Sequence, residues 1–146
     1  MIRFGTYTVY KGYDLRLIEQ NNCYRLIYNG TNCPFDDFLA YTENVYYKDL
    51  QKTEIWNAFF IKTRGIYKGY QFDVCWLNLN NVIGIVTDDK QVYENLKLDF
   101  RERGVYQKEI HINELERLWE EYSLSSLNLP MPEGIPKVRF IENTSL

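Results

Sequence analysis

Several residue types are scarce in this chain of 146 residues, and each scarcity excludes a class of protein. Histidine occurs once, and the three cysteines include no C-x-x-C pair. The usual tetrahedral zinc ligand sets therefore cannot be assembled from paired motifs, and we predict no metal site. The first residues lack the apolar stretch of a secretory signal, and the cysteine count is odd. These two observations predict reduced thiols in a cytoplasmic protein rather than a disulfide framework.

Basic residues and long apolar runs are also scarce. Seventeen Lys and Arg stand against twenty Asp and Glu, which gives a formal net charge of −3. Proteins that bind nucleic acid through its phosphates normally carry a basic excess, so the charge balance argues against that class. No apolar run approaches the roughly 18 residues of a membrane span. The eight glycines are scattered and form no phosphate-binding loop, so no cofactor is predicted.

Aromatic residues are abundant instead. They make up 16% of the chain and include thirteen tyrosines, whereas alanine occurs only at Ala40 and Ala58. Aromatic and β-branched side chains pack well on a pleated surface, so this composition favours strands. A chain of this length normally folds as one domain. We therefore predict a single mostly β domain spanning residues 1–146.

Two sequence blocks occur twice, in the same order. Tyr-Lys-Gly-Tyr at 10–13 returns at 67–70, and Val-Tyr-Tyr-Lys-Asp-Leu at 45–50 resembles Val-Tyr-Gln-Lys-Glu-Ile at 105–110. Lys-Gly between alternating apolar residues is typical of a hairpin turn, because glycine readily adopts positive φ. The repeats predict two antiparallel meander units, about 1–60 and 61–124. The strands expected in them are 3–10, 13–19, 23–28, 61–67, 70–78 and 82–87.

The end of the second unit differs from the end of the first unit in the spacing of its apolar residues. Asn113 is a plausible N-cap, and Leu115, Leu118, Trp119 and Tyr122 follow it at helical spacing. We predict one amphipathic helix over about 113–124. The predicted class is thus α+β, mostly β, with two duplicated β-meander units packed together and this helix covering them. The Pro-rich remainder, 125–146, is predicted to be an extended strap.

Carboxylates are the candidate partner-binding residues. Asp36-Asp37 and Asp88-Asp89 each follow the third strand of their unit, where a side chain need not serve the core. Paired aspartates in turns are also common because they cap and turn the chain well, and a metal or acid–base pair is a further alternative. On the predicted helix, Glu116 and Glu120 would face water. A surplus of exposed acids can steer a basic partner.

Other chemistry has little support in the sequence, and we predict no catalytic residues. His111 could act as a base with nearby carboxylates, which keeps a small enzyme as an alternative. Its counterpart in the first repeat is Gln51, so the position is polar in both copies. The many tyrosines raise a third alternative, a ligand-binding or nucleic-acid-binding module with exposed aromatic residues.

The repeated motifs resemble those of a class of bacterial proteins. The Tyr-Lys-Gly-Tyr hairpins, together with the Tyr-x-Lys-Asp/Glu strands at 46–49 and 106–109, are similar to small, acidic, Tyr-rich immunity proteins of polymorphic-toxin systems. This resemblance implies a cytoplasmic, non-enzymatic protein-binding module. It would act as an antitoxin that occludes a cognate toxin, with a basic toxin domain as partner and no membrane association. The motifs are structural, so the resemblance assigns no site residues.

Overall fold

Strands form most of this antiparallel β structure: 53% of the residues that the structure describes lie in strands and 9% are helical. The computed structural model describes residues 2–142. In chain order the strands are β1 (Gly5–Tyr10), β2 (Tyr13–Glu19), β3 (Cys23–Asn29), β4 (Leu39–Thr42), β5 (Val45–Gln51), β6 (Phe59–Tyr67), β7 (Tyr70–Leu77), β8 (Val82–Thr87), β9 (Asp99–Glu102), β10 (Val105–His111), β11 (Arg117–Ser123) and β12 (Val138–Phe140). The helical elements are α1 (Lys90–Leu96) and two 3-10 turns at Lys52–Glu54 and Ile112–Glu114. The prediction of a mostly β, α+β protein is confirmed.

The chain forms two compact units. The first unit comprises Gly5–Phe60 and Ser123–Ile135, and the second comprises Ile61–Tyr122 with residues 2–4 and 136–142 of the described chain. The division between the continuous parts falls between Phe60 and Ile61, inside β6. Residues of the predicted strap are therefore distributed over both units.

In the first unit the strands lie in the order β4-β5-β3-β2-β1. All of these pairs are antiparallel. One face of this sheet carries the alternate apolar residues that form the core, as expected for strands with one buried face. The buried members are Leu15, Leu17, Tyr24, Leu26, Phe38, Leu50, Ile55 and Ala58.

In the second unit the corresponding order is β9-β10-β8-β7-β6. β11 pairs with β6 and with β12. The core of this unit includes apolar residues from the strands and one from α1. The buried members are Tyr67, Phe72, Val74, Ile83, Ile85, Val92, Leu98, Tyr106, Ile110, Ile112, Leu115 and Leu118.

The two Lys-Gly pairs form hairpin turns, as predicted. Lys11 and Gly12 have φ of 49° and 84°, and they join β1 to β2. Lys68 and Gly69 have φ of 48° and 81°, and they join β6 to β7. Positive φ at both central residues matches the right-handed twist of the flanking strands, which is why such turns close two-residue hairpins.

The predicted helix over 113–124 is wrong. Residues 112–114 form a 3-10 turn and residues 117–123 form β11, whose burial alternates along the strand. Leu118, Glu120 and Tyr122 point to the buried side, so the period is two rather than 3.6. The apolar residues alone are compatible with a helical period and with a strand period. The burial of Glu120 between Leu118 and Tyr122 distinguishes the strand from the helix. The prediction that Glu120 faces water is therefore also wrong.

The α-helix of the described chain lies elsewhere. α1 follows β8 and begins at its N-cap, Asp89, whose carboxylate accepts hydrogen bonds from the backbone of Gln91 and Val92 at 2.9 and 3.3 Å. None of the helices in residues 2–142 is long and apolar enough to cross a membrane. Within the predicted strap, Val138–Phe140 form a short strand paired with β11, and the last four residues lie outside the described part.

Candidate functional site

The outer face of the first unit's sheet carries a row of apolar and aromatic side chains. Strand register places Ile27 opposite Tyr47, and Tyr47 opposite Leu39. Leu39 and Tyr41 are 61% and 66% exposed although both are large apolar residues. We call this surface the aromatic face; its members are Ile18, Ile27, Leu39, Tyr41, Val45 and Tyr47.

Arg25 lies on the same face of the sheet, opposite Ile18 and Asp49 on the neighbouring strands. Its guanidinium lies 4.3 Å from the centroid of the Tyr47 ring and donates two hydrogen bonds to Asp49, at 2.7 and 2.9 Å. The hydrogen bond from Arg25 lowers the pKa of Asp49 below its usual value. Planar Arg can stack and form a bidentate pair at once, so two contacts hold the orientation of this side chain.

A shallow groove of about 270 Å³ runs over the aromatic face. Tyr41 borders it and sits at a β-bulge, because Ala40 pairs with Tyr46 and Thr42 with Val45. The Tyr41 ring meets that of Tyr47 edge-on, with centroids 6.0 Å apart. Tyr41 is thus the extra residue of the bulge and has no residue opposite it in β5.

The second unit has a groove of different character. This charged groove has a volume of about 260 Å³ and is lined by Lys62, Arg64, Gln71, Asp73, Val86, Thr87, Asp88, Gly104 and Val105. Lys62 and Arg64 lie 3.5 and 3.3 Å from Asp73, and Arg64 also lies 3.5 Å from Glu121. Its cations are thus already paired with acids of the same unit.

The two aspartates of the first predicted acidic pair, Asp36 and Asp37, differ in their contacts. Asp37 forms an ion pair with Lys48, and the hydrogen bond from Lys48 lowers the pKa of Asp37. Asp36 is exposed and makes no hydrogen bond or ion pair within the described residues. Only Asp36 of this pair therefore keeps an unpaired carboxylate for a partner.

The other exposed acids predicted to bind a partner are Asp88, Asp89 and Glu116, and two of them also have a local structural role. Asp88 lines the charged groove, whereas Asp89 caps α1. Glu116 accepts a hydrogen bond of 2.9 Å from the backbone of Gly69 and thereby holds the β6–β7 turn. The predicted acids thus serve the local structure in several places, which is the alternative that the sequence left open for aspartates in turns.

Glu120, predicted as a partner-binding acid, is buried. Its side chain is 2% exposed and accepts hydrogen bonds from Arg3, Tyr122 and Arg139. Burial alone raises the pKa of Glu120, but the hydrogen bonds from Arg3 and Tyr122 together with the charges of Arg3 and Arg139 outweigh it and lower that pKa. Burial and the hydrogen bond to Glu120 raise the pKa of Tyr122 to about 12. This carboxylate links Arg3, Tyr122 and Arg139 within the second unit and is buried from solvent.

His111 has a structural role. Its Nδ1 accepts a hydrogen bond from the backbone of Asn113, and its own backbone N–H donates to Glu114, which closes a capping box. Gln51 and Glu54 form the same arrangement in the first unit. The three cysteines are free, and no group of three or more His, Cys, Asp or Glu within residues 2–142 is arranged to hold a metal ion.

The aromatic face was missed in the sequence. The alternation of Tyr41, Tyr47 and Ile27 with core residues is visible in the chain, but each could belong to either face of its strand. The signal that could have found it is the pair Leu39 and Tyr41 in a short segment without charge, directly before a predicted strand. Both flanks of that segment are acidic, at Asp36-Asp37 and Glu43.

Fold and surface together define a small antiparallel β protein of two sheet units, one of which exposes an aromatic face. The chain belongs to the family described as Uncharacterised conserved protein UCP033725, whose profile matches residues 2–126. The match therefore covers every strand except β12. Neither the curated proteins nor the solved structures contain a significant match to the chain.

Proposed function

We propose that this protein is a non-enzymatic protein-binding module, and most concretely an immunity protein that neutralises a bacterial toxin by occlusion. The observation that carries this proposal is the aromatic face, on which Leu39 and Tyr41 are largely exposed and Arg25 stacks on Tyr47. Tyr and Arg are enriched at the energetic centres of protein interfaces. The motif resemblance to cytoplasmic immunity proteins supports the more specific role.

We further propose that the two units are copies of one ancestral unit. Their strand orders correspond, β4-β5-β3-β2-β1 with β9-β10-β8-β7-β6. β4 and β9 carry a register shift at the same place relative to their partner strands, at Tyr41 and Arg101. The capping boxes begun by Gln51 and His111 also occupy the same place after β5 and β10.

The second copy then acts as an internal control for the first. Asp99 lies opposite Gln107 in the second unit, where Leu39 lies opposite Tyr47 in the first. Arg101 takes the place of Tyr41. Because the same sheet forms with polar residues at these positions, its folding does not require apolar ones. The apolar residues of the aromatic face are therefore available for a partner.

Two exposed acids add a reason to expect a basic partner. Asp36 in the first unit and Asp88 in the second make no ion pair among the described residues. Exposed charges of this kind mainly raise association rates, in a salt-dependent manner. A toxin domain with a basic surface matches both the apolar contact and this steering.

The proposal is tested with the product of the adjacent reading frame, purified with the full chain and titrated by calorimetry. The variant Tyr41→Arg with Tyr47→Gln introduces the polar residues of the second unit into the aromatic face. Loss of two central contacts should weaken binding by about 30-fold or more. The control is Asp99→Asn with Arg101→Gln, which changes the corresponding strand of the second unit and should bind as the wild type does.

Two outcomes would contradict the proposal. One is that the wild-type chain neither binds that product nor protects cells that express it. The other is that the control and the Tyr41→Arg, Tyr47→Gln variant bind equally well, which would remove the aromatic face from the interface.

A further inference from the structure

The two outer strands β4 and β9 differ in charge although they occupy corresponding places. Each is the last strand of its order and pairs with one neighbour among the described residues. β9 reads Asp-Phe-Arg-Glu, with three charges in four residues, whereas β4 reads Leu-Ala-Tyr-Thr and has none. Alternate residues of an edge strand direct N–H and C=O groups away from the sheet, and charge is a common protection against unwanted pairing.

The residues that flank β4 are charged, and all of these charges are negative. Asp36 and Asp37 precede it and Glu43 follows it directly. Asp37 is neutralised by Lys48, but Asp36 and Glu43 are exposed and make no ion pair within residues 2–142. The edge is therefore neutral and apolar in its centre and acidic at both ends.

We propose that β4 receives an extended strand of the protein partner, with apolar residues in its centre and lysine or arginine on both flanks. This inference rests on the proposed function and specifies how the partner binds. Backbone hydrogen bonds to β4 would supply the pairing, as in strand addition to other sheet edges. Leu39 and Tyr41 would contact the alternate side chains of the added strand, and Asp36 and Glu43 would pair with its basic flanks.

Charge also explains why the added strand goes to β4 and not to β9. An extended segment beside β9 would meet Asp99, Arg101 and Glu102 along its whole length, so an apolar centre would lie against charges. Phe100 is the exposed apolar residue of β9, and its ring packs near those of Tyr93 and Tyr106. The charges of β9 thus disfavour the pairing of an apolar segment with the edge strand of the second unit.

The test uses the full chain labelled for amide NMR and three short synthetic peptides. All have the same core of alternating valine and threonine. The first has lysine pairs at both ends, and the second has glutamate pairs. The third has lysine pairs and a core in which every valine and threonine is N-methylated, so that its core cannot donate backbone hydrogen bonds from either edge. We expect the first peptide to shift the amide resonances of residues 39–42, and the other two to bind at least about tenfold more weakly.

Two chain variants locate the peptide site. Leu39→Asp introduces into β4 the charge that β9 has at the same register, and it should abolish the shifts while the chain remains folded by circular dichroism. Phe100→Leu is the control in β9 and should leave binding unchanged. If Leu39→Asp does not fold, Asp36→Asn with Glu43→Gln replaces it, and this variant should lose the preference for the lysine-flanked peptide.

Three results would overturn the strand-addition proposal. They are equal binding of the N-methylated peptide, equal shifts at β9, or no shifts at β4 with any peptide. If the toxin-like partner nevertheless binds in a way that depends on Tyr41 and Tyr47, the proposed function stands without strand addition. If the peptide binds β4 but no partner is found, the result supports strand addition and contradicts the immunity function.

Discussion

Glu120 accepts two hydrogen bonds from Arg3, a residue 117 positions earlier in the chain, at 2.7 and 2.9 Å. Arg139 approaches the same carboxylate at 2.7 Å from the other end of the chain. One buried carboxylate thus fixes residues 2–4 and strand β12 within the second unit. The removal of its charge should loosen both segments.

We expect Glu120→Gln to lower the free energy of unfolding by about 2 kcal/mol, because the arginines lose charge-assisted hydrogen bonds. The folded pKa of Glu120 is lowered, so its contribution to stability is fully present above the unfolded pKa of about 4.3. It is lost as pH falls through the folded value. Denaturant unfolding at several pH values should show the difference from wild type shrinking below about pH 4. A pH-independent difference would contradict this.

Asp89 and Asp88 provide a matched pair for the α1 cap. Asp89→Ala removes the acceptor for two backbone N–H groups and should cost about 1 kcal/mol of stability. Asp88→Ala changes the same charge one residue earlier, without a capping hydrogen bond, and should stay within about 0.5 kcal/mol of wild type. Thermal and urea unfolding measure both. Equal effects would show that charge, and not capping, is what Asp89 contributes.

Gly84 lies under the ring of Trp76. A Cβ built on Gly84 would come 2.1 Å from a ring atom of Trp76, so Gly84→Ala forces the ring aside. We expect this substitution to cost about 1–3 kcal/mol. In a Trp76→Ala background the same substitution should be neutral or stabilising, since alanine suits a strand better than glycine. A double-mutant cycle gives the coupling, and additive effects would reject the contact.

The Lys11-Gly12 and Lys68-Gly69 turns have similar backbone angles, so matching substitutions should have similar effects on stability. Gly12 and Gly69 have positive φ, and a Cβ on either would meet nothing within 4 Å. Gly12→Ala and Gly69→Ala should therefore each cost about 1–2 kcal/mol, from the backbone conformation alone. Urea unfolding of both variants checks the values. A large difference between them would show that the turns are under different constraints.

The features predicted correctly from sequence are those set by local patterns. Alternating apolar residues on either side of Lys11-Gly12 and Lys68-Gly69 fix both the strands and the turns that join them. The helix prediction failed because the assignment of residues 117–123 depends on distant groups. Glu120 can be buried in a strand only because Arg3 and Arg139 neutralise it, and neither is near it in sequence.

The aromatic face could not be predicted for a similar reason. Whether Tyr47 faces the core or the solvent depends on its register with Ile27 and Leu39, which lie on two different strands. A shift of one residue would exchange the two faces. The acids were easier to notice, but which of them are free depends on partners such as Lys48 that the sequence does not pair with them.

The contribution of residues 123–142 to both units has a consequence for synthesis on the ribosome. Leu127 and Leu129 pack on the first core, and the backbone N–H of Ala58 donates to the carbonyl of Pro130. Arg139 and Phe140 complete the second unit. Neither unit has all of these contacts until the late residues have left the exit tunnel. A premature stop after residue 122 would therefore leave two incomplete units, not one intact unit and one damaged unit.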